Sequence, residues 1–149
     1  MQGGLLRVPA TRYRRAMVSN EKDPAAFAEM AGRDPNEPVV MLNLLKYRDM
    51  AAEGAGVDGM TGEEAYRTYG RAFAELNPRF GGEPVWMGRA QASVIGDEDW
   101  DLIILVRYPT RQQFIDMIND PDYQAIAPIR SAALADSRLV ESQQLLPQP

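Results

Sequence analysis

The sequence predicts an α+β fold, a four-stranded antiparallel sheet with two helices on one face. Three observations lead there. Four segments have strand character, at residues 39–45, 84–95, 100–108 and 137–146. The first and second, and the third and fourth, are separated by stretches with helical periodicity. The middle two are joined by Gly96-Asp97-Glu98-Asp99, a hairpin turn. After an opening helix the order is therefore β, α, β, β, α, β, the split βαβ or ferredoxin-like plan.

Each element has a local reason. Asp23 caps a short helix that Pro24 begins, because proline at the first helical position loses no hydrogen bond. Phe27 and Met30 give it an apolar face, and Gly32 and Pro35 end it. Residues 39–45 are short, apolar and bounded by turn residues, as a buried strand should be. Residues 49–60 are rich in Gly, Ala and Asp and read as a loop; they lack the Lys-Ser/Thr of a phosphate-binding loop. Thr61 and Glu64 have capping-box spacing. The helix after them sets Ala65, Tyr69, Ala72, Phe73 and Leu76 on one face, and Asn77-Pro78 closes it. Gly81-Gly82 turns the chain into the second strand, and Pro109 ends the third. Thr110 caps a helix carrying Phe114, Met117 and Ile118. Asp120-Pro121-Asp122 interrupts it and starts another, which Pro128 is expected to break or kink.

Composition limits the chemistry. The chain of 149 residues has no cysteine and no histidine, so cysteine nucleophiles, disulfides, histidine relays and His-ligated metals are excluded. Proton transfer would fall to a carboxylate, Tyr, Lys or water. No metal or organic cofactor is expected, and the eight methionines read as gap-filling core and interface. The net charge of −5 argues against nucleic-acid binding. The longest apolar run, residues 39–45, is far short of the ~20 residues a membrane span needs. Residues 1–20 carry four arginines and no acid, a basic arm preceding one domain over residues 21–149. That arm lacks the apolar stretch of a secretory signal, so a cytoplasmic protein is expected.

Strand alternation sorts the faces. Val40, Leu42 and Leu44 form one set on the first strand, and Met41, Asn43 and Leu45 the other. On the third strand Leu102, Ile104 and Val106 oppose Asp101, Ile103, Leu105 and Arg107. The wholly apolar sets are expected under the helices and the mixed sets on the open face. So apolar an open face calls for a partner, and homodimerisation through it is expected.

The chain also resembles a known family. Pro38-Val39-Val40-Met41-Leu42-Asn43-Leu44-Leu45-Lys46-Tyr47, Tyr66-Arg67-Thr68-Tyr69, Phe80-Gly81-Gly82, Trp100-Asp101, Val106-Arg107-Tyr108-Pro109 and Asp120-Pro121-Asp122-Tyr123-Gln124 occur in that order. With Arg130 and Asp136-Ser137-Arg138-Leu139, they resemble domain of unknown function 1330, a family of the dimeric α/β-barrel superfamily. The resemblance spans roughly residues 37–142. It implies a ferredoxin-like fold and a face-to-face dimer whose sheets form a barrel. Superfamily relatives include cofactor-free monooxygenases, haem-binding proteins, dye-decolourising peroxidases and isomerases, with ligands between sheet and helices or in the barrel. Many family members carry His just before the equivalent of Arg130; here Ile129 stands there. Haem would find no histidine as axial ligand.

Candidate site residues follow, each with a structural alternative. Asn43 is an amide inside an apolar strand, either orienting a ligand or satisfying nearby backbone. Arg107 is a candidate clamp for a carboxylate or enolate, and Asp101 a candidate proton acceptor with its pKa raised by partial burial. Both also read as sheet-edge charges with separate partners. Trp86 and Trp100 are candidates for a stacking wall, or packing residues. Tyr66 borders the apolar face of its helix and could send its hydroxyl into a pocket, whereas Tyr69 reads as core. Tyr123 and Arg130, seven apart, are candidates to share a helical face; Arg130 is expected to be structural, binding carbonyls or a carboxylate of the protein, with a ligand-binding role as the alternative. Two functions fit: a cofactor-free enzyme of oxygenase or isomerase type acting on an apolar or aromatic molecule, or a non-catalytic ligand-binding or sensing dimer. A partner-binding dimer using the basic arm is a third.

Overall fold

The fold is that of a computed structural model, which describes residues 22–149. The basic arm at residues 1–20 lies outside the described residues. Helix α1 (Pro24–Ala31) leads to β1 (Val39–Tyr47), α2 (Gly62–Leu76) and a 3-10 turn at Asn77–Phe80. Strands β2 (Glu83–Arg89) and β3 (Leu102–Tyr108) follow, then α3 (Arg111–Asn119), α4 (Pro121–Ala133) and β4 (Leu134–Ser142). The strand order is β2-β3-β1-β4 and all three pairings are antiparallel. This is the ferredoxin-like arrangement, α+β as the sequence predicts.

Local hydrogen bonds start the helices where expected. Asp23 Oδ1 accepts from the backbone N–H of Ala25 at 2.9 Å. The capping box closes on α2: Glu64 N donates to Thr61 Oγ1 at 3.1 Å, and Thr61 N to Glu64 Oε2 at 2.9 Å. Thr110 caps α3 and Asp120 caps α4. Gly62, at the first turn of α2, sits where a Cβ would lie 2.1 Å from the Arg48 carbonyl oxygen and 2.7 Å from that of Ala133. The absent side chain lets α2 start directly against the ends of β1 and α4.

Several boundaries differ from expectation. Strand β2 stops at Arg89 rather than residue 95, and β3 starts at Leu102, so residues 90–101 connect them in place of a tight hairpin. Val94 and Ile95 are almost fully exposed there, because no neighbouring strand is within pairing reach. Strand β4 runs over 134–142 rather than 137–146, pairing with β1 through a bulge at Lys46/Tyr47. Pro128 sits inside α4 without ending it, on the helix's exposed side.

The larger correction concerns β1. The apolar core joins Val39, Met41 and Leu45 to Ile104, Val106 and Tyr108, and to Met30, Tyr66, Tyr69, Phe114 and Met117 of the helices. Register confirms it: Met41 faces Val106 and Asn43 faces Ile104, while Leu42 faces Leu105 and Val40 faces Arg107. The mixed set of β1, not the apolar one, lies under the helices. Leu42 and Leu44 instead form the open face with Ile103, Leu105, Trp86 and Val140.

Five arginine-centred contacts lock the periphery. Arg111, only 3% exposed, donates through Nε to Glu141 Oε1 at 2.8 Å, through Nη2 to Glu37 Oε2 at 3.1 Å and to Glu141, and through Nη1 to the Asp34 carbonyl. Arg33 Nη1 reaches Glu141 Oε2 at 2.9 Å. Burial opposes the charge on Arg111, but these hydrogen bonds outweigh it and hold its pKa above the ordinary value. The cluster joins the segment after α1, the start of α3 and the end of β4.

Candidate functional site

A cavity of about 920 Å³ lies between the sheet and the helices. Its sheet side presents Met41, Asn43, Ile104 and Val106; α2 brings Tyr66, Tyr69 and Phe73, and α4 brings Tyr123 and Arg130. Helix α1 adds Phe27 and Met30. Its walls are mostly apolar, and its volume falls within the general range of small-molecule pockets.

The polar groups converge from α2, α4 and β1. Tyr66 and Tyr69, three apart, are one helical turn from each other, with ring centroids 5.4 Å apart. Tyr47 and Phe73 extend the aromatic row at 5.9 and 5.6 Å. The Tyr69 and Tyr123 hydroxyls are 3.4 Å apart, linking α2 to α4. Asn43 Nδ2 donates to the Met41 and Ile104 carbonyls at 3.3 and 3.5 Å, both long for such bonds. Arg130 Nη2 is buried without a hydrogen-bond partner.

Burial pushes the Tyr66 phenol up to about 12, the Arg130 charge opposing the rise. Burial also raises Tyr69 well above the usual phenol value, with Tyr123 adding to it and Arg130 again opposing. Tyr108, in the core beneath, is raised by burial as well. At neutral pH these groups are proton donors, not bases. Because each holds its proton more tightly when folded, stability is fully present below pH about 10 and falls as pH rises, the unfolded chain ionising first. Tyr66 alone accounts for roughly 2–3 kcal/mol lost between pH about 10 and about 12. Urea midpoints should fall across that range together with tyrosinate absorbance; a flat profile would contradict the burial of the phenols.

Among the candidates named from sequence, Asn43, Tyr66, Tyr123 and Arg130 meet in this cavity. Arg107 does not. It lies on the open face, its Nη2 3.0 Å from Glu83 Oε2, across the sheet from Asn43. Asp101 accepts the Tyr47 N–H at 2.8 Å and sits 3.5 Å from Lys46 Nζ, extending the β1–β3 pairing. Trp86 lies on the open face over Gly88, where a Cβ would meet its ring at 2.2 Å. Trp100 packs against Arg138, whose guanidinium is 5.1 Å from the ring centroid. Tyr69, expected in the core, is buried, and it also lines the cavity. The Tyr66-x-x-Tyr69 spacing is the signal that pairs it with Tyr66.

Among the described residues, no helix is long and apolar enough to cross a membrane. No curated protein matches the chain. A protein of unknown function from Rhodopseudomonas palustris is 38% identical over 85% of this chain and 97% of its own, with a TM-score of 0.78. A hydroxynitrile lyase from Passiflora edulis is 11% identical, with a TM-score of 0.54 over 77% of this chain and all of its own. A protein from Arabidopsis thaliana is 15% identical, with a TM-score of 0.51 over 71% of this chain and 94% of its own. The last two share the fold. A family model, "Domain of unknown function (DUF1330)", matches residues 56–143, more than half the chain. With that match and the Rhodopseudomonas relative, the chain belongs to the DUF1330 family.

Proposed function

We propose that this protein is a small-molecule-binding homodimer whose ligand, largely apolar or aromatic, occupies the cavity between sheet and helices. The cavity itself carries the reading: about 920 Å³ of mostly apolar wall into which a few polar groups converge. Binding is favoured over catalysis by the state of its acids. Asp23 caps α1, Glu29 pairs with Arg33 at 2.8 Å, and Glu141 is held by Arg33 and Arg111. The phenols are too basic as anions to serve as bases at neutral pH. An oxygenase- or isomerase-type reaction is the second reading; it retains Asn43 and the phenols as proton donors and loses Arg107 and Asp101, which face elsewhere.

Gly70 supplies the test. It lines the cavity in mid-α2, and an added Cβ meets nothing within 4 Å. Gly70→Phe should intrude a ring into the space and leave the fold intact. The purified wild type is expected to retain a ligand in native mass spectrometry, or to gain about 2.7 kcal/mol from a library compound at a hundredfold excess over its Kd. Gly70→Phe should lose both. No retained ligand and no thermal shift across the library would sink the proposal.

The open face supports the dimer. Leu42, Leu44, Ile103 and Leu105 are half-buried, and Trp86 and Val140 stay 52% and 47% exposed. A second copy of the same face would cover them. Leu44→Glu with Leu105→Glu should give a folded monomer in sedimentation, with helix content unchanged. A monomeric wild type, or a double variant that stays dimeric, would contradict this interface.

A further inference from the structure

We infer that the ligand is a carboxylate, a small acid with an apolar body whose carboxylate is received by Arg130 and the hydroxyls of Tyr66, Tyr69 and Tyr123. The inference rests on the cavity being a ligand site and names the class that site selects.

Two arginines set the contrast. A guanidinium is charged at any accessible pH, and removing it from water is costly unless carboxylates or carbonyls receive its N–H groups. Arg111 follows that rule, with Glu37, Glu141 and the Asp34 carbonyl arrayed around it. Arg130 does not. Its Nη2 is buried with no acceptor, and no carboxylate among the described residues forms an ion pair with it. Its charge reaches the phenols: it opposes the burial effect on Tyr66 and Tyr69 alike.

The neighbours of Arg130 are donors too. The Tyr69 and Tyr123 hydroxyls are 3.4 Å apart, which leaves at least one O–H of this pair free for another acceptor. This corner of the cavity thus brings a guanidinium and three phenol O–H groups, all able to donate, to one place, with no carboxylate paired to the guanidinium. A carboxylate offers only acceptors, two oxygens in a plane that matches the guanidinium fork. One unpaired arginine matches one negative charge. Of the other cations that line the cavity, Arg33 and Arg138 are already paired with acids and Lys22, beside α1, lies over the Phe27 ring 5.7 Å from its centroid, so Arg130 is the cation set among the phenols. Phe27, Met30, Phe73, Met117 and Ile118 make the remaining wall apolar, which suits a hydrocarbon or aryl body.

Calorimetry on the full chain with matched acid and amide pairs tests this: decanoate against decanamide, and phenylbutyrate against phenylbutyramide. A charge-assisted hydrogen bond predicts acids binding roughly 10- to 100-fold tighter than amides. In Arg130→Gln that preference should fall to a few-fold while amide affinity changes little, and Tyr66→Phe should reduce it partially. Amides binding as tightly as acids, or a preference that survives Arg130→Gln, would overturn the carboxylate assignment and leave the cavity reading standing. If neither class binds and the library screen with Gly70→Phe is also silent, the cavity reading fails, and this inference with it. Inorganic phosphate displacing decanoate at equal concentration would likewise overturn the choice of carboxylate.

Discussion

Arg111→Ala is expected to cost about 3–5 kcal/mol of folding stability, enough to lower Tm by roughly 10–20 °C. The residue is 3% exposed and serves three acceptor groups from two parts of the chain: Glu37 and the Asp34 carbonyl before β1, and Glu141 at the end of β4. Truncation leaves two carboxylates facing each other with only Arg33 to neutralise them. A buried ion pair adds modestly to stability, but breaking one from a single side strands charge, and that asymmetry sets the size of the loss. Arg111→Lys should recover less than half, since an ammonium is a point charge and cannot reach all three acceptors in the guanidinium plane. Urea melts of the three proteins check this. A loss below 1 kcal/mol in Arg111→Ala would show that water solvates the cluster.

Arg130→Met is expected to do the opposite and raise the stability of the ligand-free protein by about 1–3 kcal/mol. Nothing in the fold receives Arg130 Nη2, so folding strips water from a charged donor and returns no bond. Methionine keeps much of the volume and removes the orphaned charge. The same substitution should remove the preference for acids over amides. Stability gained with selectivity lost is the signature of a residue kept for a ligand rather than for the fold. Parallel melts of wild type, Arg130→Met and Arg111→Ala decide it. Destabilisation in Arg130→Met comparable to that in Arg111→Ala would mean that the guanidinium already has a structural partner.

Helix starts were legible because capping is local. Asp23, Thr61 with Glu64, Thr110 and Asp120 each bond to backbone within three residues. Strand ends were not. Residues 90–95 alternate well enough to extend β2, yet a strand ends where its neighbour does, and β3 begins only at Leu102 opposite Arg89. Pro128 reads locally as a helix breaker, but the packing of α4 against α2 holds the helix through it.

The site shows the same division. Period-two alternation tells that Met41, Asn43 and Leu45 share a face, and that Arg107 shares one with Leu105. It does not say which face meets the helices, because both sets on β1 are apolar enough to be buried. Packing put Asn43 inward and Arg107 outward, so the two mixed sets, both expected on the open face, lie on opposite faces, and Arg107 is left to Glu83. The spacing of Tyr123 with Arg130 read as a shared face, whereas Tyr66 read as bordering the apolar face that holds Tyr69. That the two faces meet, 54 residues apart at Tyr69 and Tyr123, followed only from α2 docking beside α4. The sequence by itself determined the order of elements, their caps, the DUF1330 resemblance and the absence of any thiol or imidazole. Tertiary structure decided which strand face is buried, and thus which polar groups share one cavity. Short-range hydrogen bonds and periodicity act within a few residues, whereas the choice of buried face depends on the apolar area removed across the whole chain.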